Sequence, residues 1–284
     1  MKRSNDMKKT LKLSLVASIL ALAAGPASAG VYDLCAAAGT KTMPDGSTVP
    51  VWGYALNDPT NGCGAVQIPG PPLEVTDGTL TINLQNNLPE PTSVVVPGLP
   101  MPASVGGSPT WNDGTTGARG GDLTKRVRSF GAEAAAGSTE SYTWTGVRPG
   151  TFIYHSGTHP QKQVYMGLYG AVTQNSAEAT ATTPAEAYPA VGSSPAVTYD
   201  NEVVLFYSEI APDLNAAVAC VQDPLTCPVG IEPYSTSIHY HPKWFLVNGE
   251  PYVAGMADIT TGAGTTPLVA GEDVLLRLFS TAGK

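Results

Sequence analysis

The sequence is poor in charge, and above all in positive charge. Only 13% of its 284 residues are charged, and the formal net charge is −8 at pH 7. Beyond the N-terminus, the one basic cluster is KRVR at Lys125 to Arg128, which is typical of the solvated face of a strand. Because nucleic-acid binding depends on basic patches that neutralise phosphates, the composition argues against a nucleic-acid partner.

Long apolar runs are missing after the N-terminus. The chain begins with four basic residues among its first nine, an apolar run from Leu11 to Ala24, and then Ala27-Ser28-Ala29. These are the three parts of a secretory signal peptide. The alternative is a membrane anchor, for which the run is short. We therefore expect residues 1–29 to be a cleaved signal, a secreted or periplasmic mature chain starting near Gly30, and no membrane contact after cleavage.

Cysteine is scarce, with four residues in the chain. Oxidising compartments favour disulfides, so an exported chain makes these cysteines candidates for pairing. Nearest-neighbour pairing predicts Cys35–Cys63 and Cys220–Cys227, although a sequence cannot fix the connectivity and four free thiols are the alternative. We expect Cys35 and Cys63 to precede the first β-sandwich.

The motifs of common hydrolases and nucleotide-binding proteins are also missing. Ser156 lies beside His155 but has no Gly-x-Ser-x-Gly elbow around it. No phosphate-binding glycine loop followed by Lys-Ser or Lys-Thr occurs. These motifs therefore identify no catalytic residue, and the catalytic residues stay unknown.

Glycine (31 residues) and proline (25 residues) are abundant and punctuate short runs rich in Val, Thr, Tyr and Leu. This pattern is typical of an antiparallel β protein with many tight turns. In Leu80-Thr81-Ile82-Asn83-Leu84 the apolar and polar residues alternate, which predicts one packed and one solvated face. The predicted strands of a first β-sandwich are 51–55, 73–76, 80–84, 93–96, 141–144, 150–155 and 167–173.

The composition changes between residues 175 and 200 to Ala, Thr, Pro, Ser and Glu. This segment has few large apolar side chains to offset its ordering entropy, so it is predicted to be an extended inter-domain linker. Strand patterns resume at 202–208, 243–247 and 274–279. Since a complete sandwich takes about 100 residues, we expect one complete domain at 30–174 and an incomplete second one at 201–284.

Four stretches of the mature chain are the most distinctive. They are GPPLEVTDGTLTINLQNNLPEPTSVV from Gly70, WNDGT from Trp111, GTFIYHSGTH from Gly150 with QVYMGLYGAV after it, and KWFLVNGEPY from Lys243 with VLLRLFSTAG after it. These stretches resemble the multicopper oxidases, which are built from plastocyanin-like (cupredoxin) domains. The resemblance implies an all-β, cupredoxin-like Greek-key β-sandwich with copper as cofactor. It also implies oxidation of phenols, amines or metal ions by dioxygen.

The chain departs from the copper-ligand pattern of that family. The resemblance implies a first histidine pair within Ser93 to Pro102, yet SVVVPGLPMP contains no histidine. His155 occupies a ligand position in the second motif, whereas Gly157 occupies the next one and His159 lies two residues downstream. The later histidine-rich and His-Cys-His motifs do not occur. The family's trinuclear cluster takes more imidazoles than the four histidines of this chain.

His155 and His159 are the leading candidates for metal ligands. A turn around Gly157 would bring both imidazoles toward one ion, and Cu(II) binds imidazole strongly. A third ligand would then come from Gln163, Met166 or a partner's histidine. The alternative is that His155 packs at the domain edge and that His159 caps a loop before Pro160.

His239 and His241 form a weaker candidate pair. They alternate in IHYHP and would face the same side of an extended segment. The alternative is that both are exposed histidines on a connecting strand.

The sequence thus predicts an exported, copper-binding, multicopper-oxidase-like protein that is not active alone. The alternatives are a non-catalytic periplasmic copper-binding module and a structural cupredoxin scaffold. Strand edges left open by an incomplete second domain recruit other strands, so a second copy or a partner chain is expected to complete it.

Overall fold

The computed structural model describes residues 30–102, 109–238, 240–251 and 268–281. The expected signal peptide and His239 lie outside the described residues. Within these ranges the regular secondary structure is mostly β-strand, with two short α-helices. None of the helices described is long and apolar enough to cross a bilayer.

The strands, in chain order, are β1 Val31–Thr42, β2 Thr48–Asp58, β3 Gly62–Cys63, β4 Leu73–Val75, β5 Thr79–Asn86, β6 Thr110–Trp111, β7 Val127–Ser129, β8 Thr139–Thr145, β9 Gly150–His155, β10 Tyr169–Gln174, β11 Ala185–Tyr188, β12 Val197–Tyr199, β13 Asn201–Ile210, β14 Trp244–Val247, β15 Glu250–Pro251 and β16 Val274–Ser280. The helices are α1 Pro160–Met166 and α2 Pro212–Gln222, and a short 3₁₀ helix at Pro224–Thr226 follows α2.

The first sandwich consists of a five-stranded sheet, β3-β2-β1-β5-β8, and a three-stranded sheet, β4-β10-β9. Strand β1 runs antiparallel to β2 and parallel to β5. The alternation in β5 predicted one packed face, and Leu80, Ile82 and Leu84 on that face are fully buried. The buried side chains of both sheets form one core, in which Trp144 and Tyr154 are among the largest.

A separate four-stranded sheet, β15-β14-β13-β16, packs against the first sandwich. It belongs to the C-terminal part of the chain and is called the second sheet below. Strand β13 is antiparallel to β14 and parallel to β16, so it repeats the arrangement of β1 with β2 and β5. On the inner face, Phe206 stacks on Phe279 with ring centroids 5.3 Å apart, and on Tyr169 of the first sandwich at 5.2 Å. The all-β, cupredoxin-like class predicted from the sequence is therefore confirmed.

The segment 175–200, expected to be an extended linker, contains paired strands. Strands β11 and β12 are antiparallel, and Ala185, Ala187 and Tyr199 form a small buried cluster against Leu275. The segment thus has a core contact of its own with the second sheet. The division into domains at 174 and 201 stays a prediction.

Both predicted disulfides are confirmed. Cys35 pairs with Cys63, and Cys220 pairs with Cys227. The expectation that Cys35 precedes the sandwich is wrong, since Cys35 lies within β1 and is fully buried. The first bridge therefore joins a central strand of the sandwich to the short edge strand β3.

Candidate functional site around His155

His155 is the last residue of β9, and the strand alternation decides where its side chain lies. Phe152 and Tyr154 point into the main core, and the Tyr154 hydroxyl donates to the Pro71 carbonyl at 2.8 Å. Ile153 and His155 lie on the opposite face and are half-buried. The backbone of His155 exchanges two hydrogen bonds with Val95, at 2.9 and 3.0 Å. Residues 92–95 therefore run beside the end of β9.

The hydrogen bond of its ring fixes the tautomer of His155. Nδ1 lies 2.8 Å from the Ser156 carbonyl oxygen. Because a carbonyl only accepts, Nδ1 carries the proton and Nε2 has the free lone pair. Burial lowers the pKa of His155, and this effect exceeds the opposing effect of the Ser156 hydrogen bond. Burial thus favours the neutral form of the imidazole.

Two cavities flank the His155 ring. The first has a volume of about 260 Å³ and is lined by Val95, Val96, Pro97, Leu99, Pro100, Met101, Pro102, Phe130, Trp144 and His155. The second has a volume of about 440 Å³ and reaches β16, with the lining Pro97, Thr151, Phe152, Ile153, His155, Val164, Ser280 and Thr281. His155 thus separates an almost wholly apolar cavity from one that also carries hydroxyl groups.

His159 lies in different surroundings. It precedes α1 with a left-handed backbone (φ 40°) and lines a third cavity, of about 300 Å³, together with Lys162 and the segment Tyr234 to Ser237. Burial and the nearby Lys162 cation lower the pKa of His159. The structure therefore places His155 and His159 beside separate cavities, and a single ion shared by both stays a prediction.

The two candidates for a third ligand that this chain itself offers, Gln163 and Met166, are both buried and engaged elsewhere. Met166 is 1% exposed and packs in the main core. Gln163 is fully buried, and its amide nitrogen donates to Glu90 at 2.8 Å and to the Pro91 carbonyl at 2.9 Å. Its amide oxygen accepts from Thr92 at 2.8 Å and from Ser156 at 2.5 Å. Gln163 therefore fastens the turn after β9 and has no hydrogen-bonding capacity left.

A buried cluster of hydroxyl groups holds the same turn, and sequence reasoning missed it. The Thr158 hydroxyl lies 3.0 Å from those of Ser93 and Ser129, which are 2.9 Å from each other. These residues come from three separate segments of the chain. No periodicity marks them, so only the tertiary structure shows that they fix the loop between His155 and α1.

The described residues do not fit a copper centre of the kinds that the resemblance implies. Within 30–102, 109–238, 240–251 and 268–281, no group of three or more His, Cys, Asp or Glu side chains converges on a point suited to a metal ion. All four cysteines are in disulfides, so no thiolate is available. His241 is exposed in the connection before β14, and its pairing with His239 falls outside the described residues.

The fold and the position of this site define a cupredoxin-like β-sandwich protein. Residues 60–178 match the family model of the multicopper oxidases, which confirms the resemblance to that family found in the sequence. No curated protein sequence matches the chain.

Solved structures show the same fold. The chain is similar to a multicopper oxidase (19% identity, TM-score 0.53, covering 89% of this chain and 63% of that one). It is also similar to the copper nitrite reductase from Nitrosomonas europaea (19%, TM-score 0.52, 89% and 67%). A third similar structure is the blue copper oxidase from Nitrosomonas europaea (15%, TM-score 0.51, 89% and 61%). The chain thus spans 61% to 67% of the length of these three proteins.

Proposed function

We propose that this chain is an exported, multicopper-oxidase-like protein that does not reduce dioxygen by itself. The proposal depends on which cysteine and histidine side chains of the chain are available as copper ligands. A blue-copper site takes a cysteine thiolate together with two histidines, and here both cysteine pairs are oxidised. The whole sequence contains four histidines, fewer than a trinuclear cluster needs.

The surroundings of His155 support the same proposal. Val95 and Pro97 lie beside the ring, within the segment where the family resemblance places a first histidine pair. Their apolar side chains offer no lone pairs to an ion. A metal bound to His155 would have to find its remaining ligands outside this wall.

The disulfides support export. Disulfides form and persist in oxidising compartments, such as the periplasm and the cell exterior. The pattern of basic residues, apolar run and small residues at the N-terminus fits the same route.

Oxygen consumption tests the proposal. We expect the purified chain, stripped with EDTA and reloaded with Cu(II), to consume oxygen with a phenolic substrate no faster than the same concentration of free Cu(II). We also expect no thiolate-to-copper absorption band. Turnover above the free-ion control that disappears in His155→Phe, a variant that keeps a planar ring without nitrogen, would contradict the proposal.

A copper-binding module without redox turnover is the second candidate function, and one observation favours it. The Ser156 carbonyl orients the His155 ring through Nδ1, which is how second-shell groups prepare imidazoles for metals. In a calorimetric titration, the wild type should bind one equivalent of Cu(II) and His155→Phe should bind none. That result supports the copper-binding module. Identical titrations of both proteins rule it out.

We propose further that a second copy of the chain covers the outer face of the second sheet. Leu276, Leu278, Tyr207 and Phe245 share this face and are 58%, 61%, 41% and 57% exposed. Among the described residues, β16 forms ladder pairs with β13 alone. Pairing of β16 with the same strand of a second copy would continue both sheets and align the two apolar faces.

Analytical ultracentrifugation tests this association. We expect the wild type to sediment as a dimer and Leu278→Lys as a monomer, because a charge on the apolar face must be desolvated on association. Val191→Lys is the matched control, since Val191 is 71% exposed in the β11–β12 connection. A wild type that stays monomeric at high concentration contradicts the proposed contact.

A further inference from the structure

We propose that the apolar cavity beside His155 binds a small, flat, apolar molecule that carries one N–H or O–H donor. The inference goes beyond the proposed function, because it assigns a ligand to the cavity without any metal. It depends on the apolar side chains of the lining, on the imidazole of His155 and on the size of the cavity.

The side chains of the described residues that line the cavity are apolar, except for the imidazole of His155. Nine of the ten lining residues are Val, Pro, Leu, Met, Phe or Trp, and the tenth is His155. The polar atom of Trp144 is already engaged, since its indole N–H donates to the Pro100 carbonyl at 3.0 Å. Pockets of this composition, mostly apolar with a few polar groups that fix orientation, are the usual form of small-molecule sites.

His155 supplies the polar group. Because Nδ1 donates to the Ser156 carbonyl, Nε2 is the ring nitrogen that can accept a hydrogen bond. A neutral acceptor selects ligands with a donor. None of the described side chains that line the cavity is cationic, so these residues would not compensate an anion for its desolvation.

The size and the mouth of the cavity restrict the ligand further. A volume of about 260 Å³ is near the lower end of the range of about 300–1,000 Å³ for small-molecule pockets, which suits a one- or two-ring molecule. Met101 and Phe130 line the cavity while remaining 42% and 52% exposed. Two large apolar side chains at the surface would become covered when such a ligand enters, which favours binding.

Indole and benzofuran are the probes for this inference. They are nearly equal in shape, but benzofuran has a ring oxygen where indole has N–H. We expect calorimetry on EDTA-treated protein to show that indole binds about fivefold tighter than benzofuran, which is the effect of about one net hydrogen bond. In His155→Phe the two probes are expected to bind equally.

Two further variants complete the test. Met101→Ala is expected to weaken both probes in the same proportion, because it removes apolar wall without touching the acceptor. His159→Gln, in a different cavity, is expected to leave both affinities unchanged. Equal affinity of the two probes for the wild type, a preference that survives in His155→Phe, or no binding of either probe at its solubility limit would overturn the inference. The assay contains no copper, so its outcome is independent of the oxygen and copper tests.

Discussion

Replacing Arg277 with methionine is expected to lower the free energy of unfolding by about 3 kcal/mol. Arg277 lies in β16 and is 2% exposed. Its Nη1 donates to the Thr151 hydroxyl at 2.8 Å, and its Nη2 donates to the Asn175 side-chain oxygen at 2.7 Å. Its Nε lies 2.9 Å from a Glu202 carboxylate oxygen, an ion pair without the alignment of a hydrogen bond. Nη1 also donates to the Gly150 carbonyl at 3.4 Å. Methionine fills a similar space but leaves all four partners without the guanidinium.

The size of this loss depends on Glu202. Removal of one partner from a fully buried ion pair costs about 3–5 kcal/mol. The Glu202 side chain is 25% exposed, so water compensates part of its charge and the lower end of that range applies. The double variant Arg277→Met/Glu202→Gln is therefore expected to recover part of the stability, because it removes the unpaired charge.

Urea denaturation measures the effect. Arg148→Met is the matched control, since Arg148 is exposed, and its change is expected to stay within about 0.5 kcal/mol. A loss below 1 kcal/mol for Arg277→Met would mean that the guanidinium does not hold β16 to β9. The prediction thus tests the packing of the second sheet on the first sandwich.

The strands that could be predicted from the sequence are those with clear alternation. The predicted strand 150–155 coincides with β9, and 80–84 lies within β5. The predicted strand 93–96 is wrong, because this segment forms no strand and Val95 makes only an isolated bridge with His155. Strand β1 was missed altogether. Its Ala-, Gly- and Lys-containing sequence has weak β-propensity, and its pairing with β2 on one side and β5 on the other compensates for this.

The two helices were also missed, although each carries a signal. Both begin with proline, at Pro160 and Pro212, and proline favours the first position of a helix. Helix α2 adds Asp213 in its first turn and several alanines, which favour helix as well. The prevailing β pattern of the chain obscured these local signals.

The candidate site was predictable in part. The position of His155 at the end of a strand followed from the sequence, whereas its surroundings did not. The apolar cavity combines Val95, Phe130, Trp144 and His155, which are distant in sequence and meet only in the folded chain. The free Nε2 depends on the direction of the Ser156 carbonyl, which no sequence pattern reveals.

Replacing Gln163 with leucine is expected to lower the free energy of unfolding by about 3 kcal/mol. The substitution removes four hydrogen bonds, to Glu90, Pro91, Thr92 and Ser156. Each buried polar group left without a partner costs about 1–3 kcal/mol. The full sum is not reached, because Glu90 keeps its ion pair with the Lys162 ammonium, 2.6 Å away.

A neighbouring glutamine provides the control for this prediction. Gln161 lies in the same helix and is exposed, so Gln161→Leu changes the same chemical group without burying it and is expected to alter stability by at most about 0.5 kcal/mol. The Thr92 and Ser156 hydroxyls already form a hydrogen bond of 3.2 Å with each other, and this bond stays available in Gln163→Leu, so these two groups contribute little to the loss. Equal denaturation midpoints for the two leucine variants would show that Gln163 does not fasten the turn after His155. The position of His155 beside its cavity would then rest on the backbone pairing with Val95 and on the hydroxyl cluster around Thr158.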